Sequence, residues 1–126
     1  MIDGITLDAG GLIALDRNDR RVVAIIAGAV QRKLRITIPA TALAQAMRNP
    51  ARQARLSRLI RQPETDVTSL DGPDAIAVGL LLSQTGTRDI ADAHVVVCAR
   101  RAKQVVLTSD PGDIKRIAPD LGLIGV

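Results

Sequence analysis

The sequence predicts an α/β fold, a three-layer α/β/α sandwich whose central, mainly parallel sheet is covered by helices on both faces. Three observations carry this expectation. Short apolar runs alternate with helix-patterned segments along the whole chain, as repeated strand–helix–strand units do. The 126 residues are 47% hydrophobic and 24% charged, which suits a single globular domain spanning residues 1–126, and no linker, repeat or low-complexity segment interrupts it. Phe, Tyr and Trp are absent, so the core is built from Val, Ile, Leu and Ala.

In order, residues 5–7 form a short strand candidate that runs into Asp8 and then Gly10 and Gly11. That is the pattern of a buried strand that delivers an acid to an open edge and then turns tightly, with a helical turn over 11–15 after the glycines. Asp19 is placed to cap a helix over 20–33, where Val22, Val23, Ile25, Ile26, Ala29 and Val30 recur with helical spacing. Residues 34–38 alternate as a second strand, and Pro39 stands near the start of a helix over 40–47, where proline is tolerated. Asn49-Pro50 reads as cap and first residue of a helix reaching Arg61. Residues 66–70 are a weak strand, and Asp71-Gly72-Pro73 opens a helix over 75–83. A loop at 85–87 precedes a helix over 89–101. Residues 104–108 are the clearest strand, followed by a short helix from Asp110 to about Ala118 and a last strand over 121–126. Parallel sheets carry their sites at the carboxyl ends of strands, where Asp8, the residues after Ile38, and Asp110 fall.

Composition narrows the chemistry. The single cysteine excludes an internal disulfide framework and a Cys-based zinc cluster, and points to the cytosol. Asp3 and Asp8 occupy the stretch where a signal peptide needs a basic start and an apolar segment. The longest apolar run, 22–30, is far too short to span a membrane. Without aromatic rings, base stacking is not available, so nucleic-acid binding must rest on arginine, backbone and metal. Charge is segregated. Residues 17–61 hold eleven Lys or Arg against one acid, Asp19, whereas from residue 62 onward nine acids face six bases. Twelve of the thirteen acids are Asp, the short, stiff carboxylate suited to metal ligation, capping and turns. An arginine-rich half beside an Asp-rich half suits a polyanion held next to a metal, or an acidic protein partner.

Each acid has a structural reading and a functional one. Asp8 is a turn or cap residue, or a ligand at a strand end. Asp89 and Asp92 lie one helical turn apart; Asp89 reads as the cap, while Asp92, among Ala91, Ala93 and Val95, needs a partner such as a cation. Asp110 and Asp113 form a capping-box-like pair around Pro111, and their place after the best strand gives them a second use. His94 and Cys98 are four apart on one helix, but with no further Cys or His they read as a packed imidazole and thiol. Gly10-Gly11 lacks the lysine and spacing of a phosphate-binding loop, and the lone His gives no support to a Ser/His/Asp nucleophile. Arg48, Arg52, Arg55, Arg58 and Arg61 wind around their helix beside Leu56, Leu59 and Ile60, as a solvated face, an RNA backbone track or a docking surface for an acidic partner.

Three stretches together resemble a family. Residues 7–15 (LDAGGLIAL), 89–95 (DIADAHV) and 107–114 (LTSDPGDI) occur in the order and at the separations of PIN domains, and more closely of the VapC-type toxins of bacterial toxin–antitoxin pairs. The resemblance covers nearly the whole chain. It implies a PIN-like sandwich and an Mg²⁺- or Mn²⁺-dependent ribonuclease with acids clustered above a parallel sheet. The family's first Asp matches Asp8, the Asp near the start of the penultimate helix matches Asp92 with Asp89 as an extra acid, and the last motif matches Asp110 with Asp113 as a second candidate. Asp8, Asp92 and Asp110 are then the metal ligands. The departure is Gln45, which stands where the family usually has an acid. Its carbonyl oxygen can face a hard cation or a ligated water but adds no charge, which weakens Mg²⁺ binding.

The function expected is a metal-dependent endoribonuclease, the toxin of a type II pair, acting on RNA in the bacterial cytoplasm. Its partners are a cognate antitoxin and a second copy of itself, since the apolar 20–33 helix of so small a domain suggests a homodimer. Thr108 and Ser109 hydrogen-bond the phosphate or cap the last helix, and Arg48, Arg52 and Arg55 meet RNA or the partner. The alternative is a PIN-fold module weakened or inactive because of Gln45, working through RNA or antitoxin binding. A receiver-like phosphoryl-transfer domain also clusters Asp at strand ends, but here Lys115 lies within a helix rather than after a late strand.

Overall fold

The computed structural model describes residues 3–126. Five parallel strands form one sheet: β1 (Gly4–Leu7), β2 (Arg35–Pro39), β3 (Thr65–Thr68), β4 (Val105–Thr108) and β5 (Leu123–Gly125), in the spatial order β3-β2-β1-β4-β5. Seven α-helices join them: α1 (Ala9–Asp16), α2 (Arg20–Gln31), α3 (Ala40–Ala46), α4 (Ala54–Ile60), α5 (Gly72–Thr85), α6 (Ile90–Ala102) and α7 (Pro111–Ile117). Every residue of β1 is buried, as a strand covered on both faces must be. β3, the polar TDVT edge strand, is half-exposed. The core is Leu7, Ile36, Ile38, Val106 and Leu107 from the sheet, closed by Leu12, Val22, Leu56, Val95, Val96 and Ile114 from the helices.

Strand order sets where a site can form. The chain steps from β1 outward to β3, then returns across the sheet to β4 on the other side of β1. The boundary between β1 and β4 is therefore the topological switch point, where parallel sheets open a crevice at their carboxyl ends. Leu7 and Leu107 stand in register there, so Asp8 and the segment 108–110 leave the sheet side by side.

Two local expectations change. Gly10 and Gly11 are not in a tight turn: α1 starts at Ala9, and both glycines lie in its first turn. Their value is space, because a Cβ on Gly11 would sit 2.6 Å from the Leu107 carbonyl oxygen, so α1 can lie against β4 only without side chains there. Pro39 ends β2, paired with Thr68, and directly precedes α3, as the sequence predicts. Residues 50–61 are not one helix: Pro50–Arg52 form a 3₁₀ turn, Gln53 breaks the run, and Asn49 makes no side-chain cap. The break is held by Gln53, whose Oε1 accepts from the N–H of Arg48 and of Asn49, both at 2.8 Å, and whose Nε2 donates to the Ala46 carbonyl at 3.0 Å. That buried side chain ties off the end of α3, which α4 then cannot reach as a continuous helix.

Candidate metal centre

Five helices begin on an Asp whose side chain accepts the backbone N–H three residues on: Asp8 from Gly11, Asp19 from Val22, Asp71 from Asp74, Asp89 from Asp92 and Asp110 from Asp113. Three of these caps, Asp8, Asp89 and Asp110, start helices whose N-termini converge at the switch point. Capping and membership of an acid cluster are thus not alternatives for these residues. The short Asp arm keeps one oxygen on the helix and leaves the other for whatever lies in front.

Asp8 is 5% exposed. Its Oδ1 accepts from Gly11 N–H at 2.7 Å, and the Thr108 hydroxyl donates to the same carboxylate. Thr108 is fully buried and also accepts from the Asp110 N–H at 2.9 Å, so it joins the two acids and does not face solvent. Burial raises the Asp8 pKa most; Thr108 and Gly11 oppose that, and the charges of Asp110 and Asp89 add to it. Asp92 is half-buried, and its pKa is pushed up to about 7, first by burial and then by Asp89, Asp8, Asp113 and Asp110. Five carboxylates therefore lie close enough to repel one another.

A cleft of about 180 Å³ opens among Thr87, Arg88, Asp89, Asp92, Asp113 and Arg116. Arg116 reaches Asp113 at 3.4 Å, a pair of exposed groups of small energetic weight. Sequence reading passed over Arg88 and Arg116, which stand at the cleft while the arginine stripe lies elsewhere. Arg48 turns back onto the Ala44 and Met47 carbonyls at the end of α3. Arg52 is exposed on the 3₁₀ turn, and Arg55 lines an apolar groove of about 240 Å³ with Leu15, Val23, Ile26, Val30 and Leu59. Gln45 is exposed on α3, and Ser109 is exposed next to Gly10.

The donor set fits a hard cation. All five side chains offer oxygen, as Mg²⁺ and Mn²⁺ prefer, and the burial and like charge that together raise Asp92 are what a dication would offset. Asp8, Asp92 and Asp110 come from the end of β1, the first turn of α6 and the end of β4, which meet at this edge of the sheet. A second group of three ligand-type side chains, Asp74, His94 and Cys98, gathers between α5 and α6. Nothing local in the sequence marked Asp74 as its third member.

The PIN domain family matches residues 5–119. Solved structures share the fold over nearly the whole chain. DNA-bound VapBC from Salmonella typhimurium matches with a TM-score of 0.69 and 19% identity, covering 99% of this chain and 98% of that one. VapBC2 from Rickettsia felis, bound to a promoter DNA fragment, matches with a TM-score of 0.71 and 16% identity, covering 98% of each chain. FitAcB from Neisseria gonorrhoeae matches with a TM-score of 0.63 and 18% identity, covering 96% of each. No curated protein sequence is a significant match.

Proposed function

This chain belongs to the PIN domain family, and from that premise we propose that it is a divalent-metal-dependent endoribonuclease, the toxin of a type II toxin–antitoxin pair acting in the bacterial cytoplasm. The observation that carries the proposal is the convergence of five carboxylates at the switch point, with Asp92 raised to about 7 by its burial and its neighbours. Asp8, Asp92 and Asp110 would hold Mg²⁺ or Mn²⁺, with Asp89 and Asp113 beside them. When bound, such an ion polarises the scissile phosphate and lowers the pKa of an attacking water.

The chain's own residues prepare that chemistry. Gly11 and Thr108 hold Asp8 in one orientation, so a ligand oxygen is in place before any cation arrives. Asp92, with its pKa raised to about 7, is only partly ionised at neutral pH, and a bound cation would favour its carboxylate form. Asp113 would orient the attacking water, and Gln45 would position it through its neutral carboxamide. Arg88 and Arg116 at the cleft attract the RNA backbone, which makes binding weaken with salt. Thr108, buried and engaged by Asp110, serves the acids, leaving Ser109 as the hydroxyl free for phosphate.

The groove lined by Leu15, Val23, Ile26, Val30 and Leu59 and edged by Arg55 and Arg58 suits an amphipathic, acidic segment of an antitoxin. The VapBC likeness supports such a partner. A homodimer is better supported by α5, which exposes Ile76 and Leu80 one turn apart, than by α2, whose Val22, Ile26 and Ala29 are spent on the core. Among the described residues no helix is long and apolar enough to cross a membrane.

The test is cleavage of structured RNA with Mg²⁺ or Mn²⁺, wild type against Asp8→Ala. Loss of cleavage in the variant is expected, and equal activity would refute the assignment. Gln45 favours a second reading, a PIN-fold module that binds without hydrolysing; it predicts no saturable Mn²⁺ binding dependent on Asp92 in calorimetry.

A further inference from the structure

We propose that Asp74, His94 and Cys98 form a second metal site, one that takes Zn²⁺ and bolts α5 to α6. The ligand atoms of the three side chains, a carboxylate oxygen, an imidazole nitrogen and Sγ, lie within 4.8 Å of one another. Exposure is 4% for Asp74, 0% for His94 and 3% for Cys98, so a cation here would be shielded from water. Asp74 comes from the first turn of α5, and His94 and Cys98 from one face of α6.

The second observation is a pair of orphaned atoms. Asp74 Oδ2 and His94 Nε2 are both buried with no hydrogen-bond partner, and they face each other at 3.8 Å, beyond hydrogen-bond reach. Two unpaired polar atoms in a dry interior are costly, and a shared cation satisfies both. Donors on a tetrahedral zinc stand roughly 3.3–3.7 Å apart at the usual bond lengths. The ion would thus draw these groups together by up to about 1.5 Å.

The remaining atoms of two ligands are already engaged as a metal site requires. His94 Nδ1 meets Thr41 Oγ1 at 2.8 Å, and in the tautomer that donates its proton there an unprotonated Nε2 is turned inward. Asp74 Oδ1 pairs with Arg101, leaving Oδ2 for the site. Burial pushes the Cys98 thiol up to about 11. Zinc binding displaces that thiol proton to solvent, and the dication, one thiolate and one carboxylate then sum to no net charge. Mixed nitrogen, sulfur and oxygen donors select zinc over the hard ion that suits the acid cluster. One tetrahedral position remains for an oxygen donor. A cleft of about 230 Å³, with Cys98, Arg101, Asp66 and Thr68 in its walls, gives the ion a way in.

Zinc binding at this site does not require that the chain be a nuclease. The test uses the full chain freed of metal by EDTA, exchanged into excess Mg²⁺, and titrated with Co²⁺. A near-ultraviolet thiolate-to-cobalt charge-transfer band that saturates near one equivalent and is bleached by Zn²⁺ is expected. Cys98→Ser should abolish the band and Asp8→Asn leave it intact, while Thr41→Val should weaken Co²⁺ binding roughly tenfold by freeing the imidazole. A wild-type protein that shows no sulfur band, or a band lost in Asp8→Asn instead of Cys98→Ser, would overturn it. The wild-type spectrum decides the matter even where a variant folds poorly.

Discussion

Replacing Asp92 by Asn is expected to stabilise the metal-free protein at alkaline pH and to do little in acid. Asp92 sits in the first turn of α6, half-buried, facing Asp89, Asp8, Asp113 and Asp110, and its pKa is raised from 3.8 to about 7. The sign follows from proton binding. Between those values the folded state holds a proton that the unfolded state has released, so stability falls as pH rises from about 4 to 7 and the contribution is lost above that. Asn is neutral at every pH and leaves the Asp89 cap on its backbone N–H intact. A rise from 3.8 to about 7 sets a ceiling of about 4 kcal/mol, and the solvent that reaches a half-exposed carboxylate reduces it to about 1–2 kcal/mol. For a domain of this size that is a melting shift of about 4–8 °C.

The assay is thermal unfolding by far-ultraviolet circular dichroism, because the chain lacks Trp and Tyr, in EDTA at pH 4.5 and pH 8. The variant should match wild type in acid and exceed it at pH 8. Adding Mg²⁺ at pH 8 should reverse the order, since wild type gains a ligand-linked increment that the variant has largely given up. A variant destabilised equally at both pH values would show that Asp92 is held by native hydrogen bonds rather than strained by like charge. That result would remove the main physical argument for a cation at this edge of the sheet.

Gly11→Ala is expected to cost about 1–3 kcal/mol, because the new Cβ meets the rigid Leu107 carbonyl at 2.6 Å and forces α1 off β4. The same shift moves the N–H that holds Asp8, so RNA cleavage should fall with stability; a variant as stable as wild type would refute the close-approach account. Gln53→Ala removes the hydrogen bonds to Arg48, Asn49 and Ala46 and should lower unfolding free energy by about 2–3 kcal/mol in urea, and a loss under half that would mean water replaces the side chain. Gln45→Glu supplies the missing charge and is expected to tighten Mn²⁺ binding by roughly fivefold in calorimetry, whereas unchanged affinity would place residue 45 outside the cation's reach.

What sequence could and could not show divides along the range of the interactions. Strand–helix alternation is local, and it located all five strands to within a few residues. Asp19 and Asp71 as helix starts were equally legible, since a cap contacts a backbone group three residues away. The break at Gln53 was not, because an Asn-Pro start favours a helix and only the Ala46, Arg48 and Asn49 backbone shows why it stops. Gly10 and Gly11 read as a turn because a sequence does not reveal that a neighbouring strand will press against them. Asp8, Asp92 and Asp110 stand out in the sequence by their places at strand and helix ends, but whether each caps a helix or faces the cluster is not legible there, and the short Asp side chain permits both. Arg88 and Arg116 escaped notice because isolated arginines carry no pattern until α6 and α7 are docked.

Helix α6 couples the two clusters. At about 100° per residue, His94 lies roughly 200° around the helix from Asp92, and Cys98 is only about 40° from His94. One face of α6 therefore turns an acid to the carboxyl edge of the sheet while the opposite face turns a nitrogen and a sulfur toward Asp74. A rotation of α6 that improved one set would spoil the other. A cation held by the rear face would fix that rotation and so limit how far Asp92 can retreat from its four acidic neighbours. The repulsion that α6 could otherwise relieve by moving would then be retained for a hard cation in front to offset.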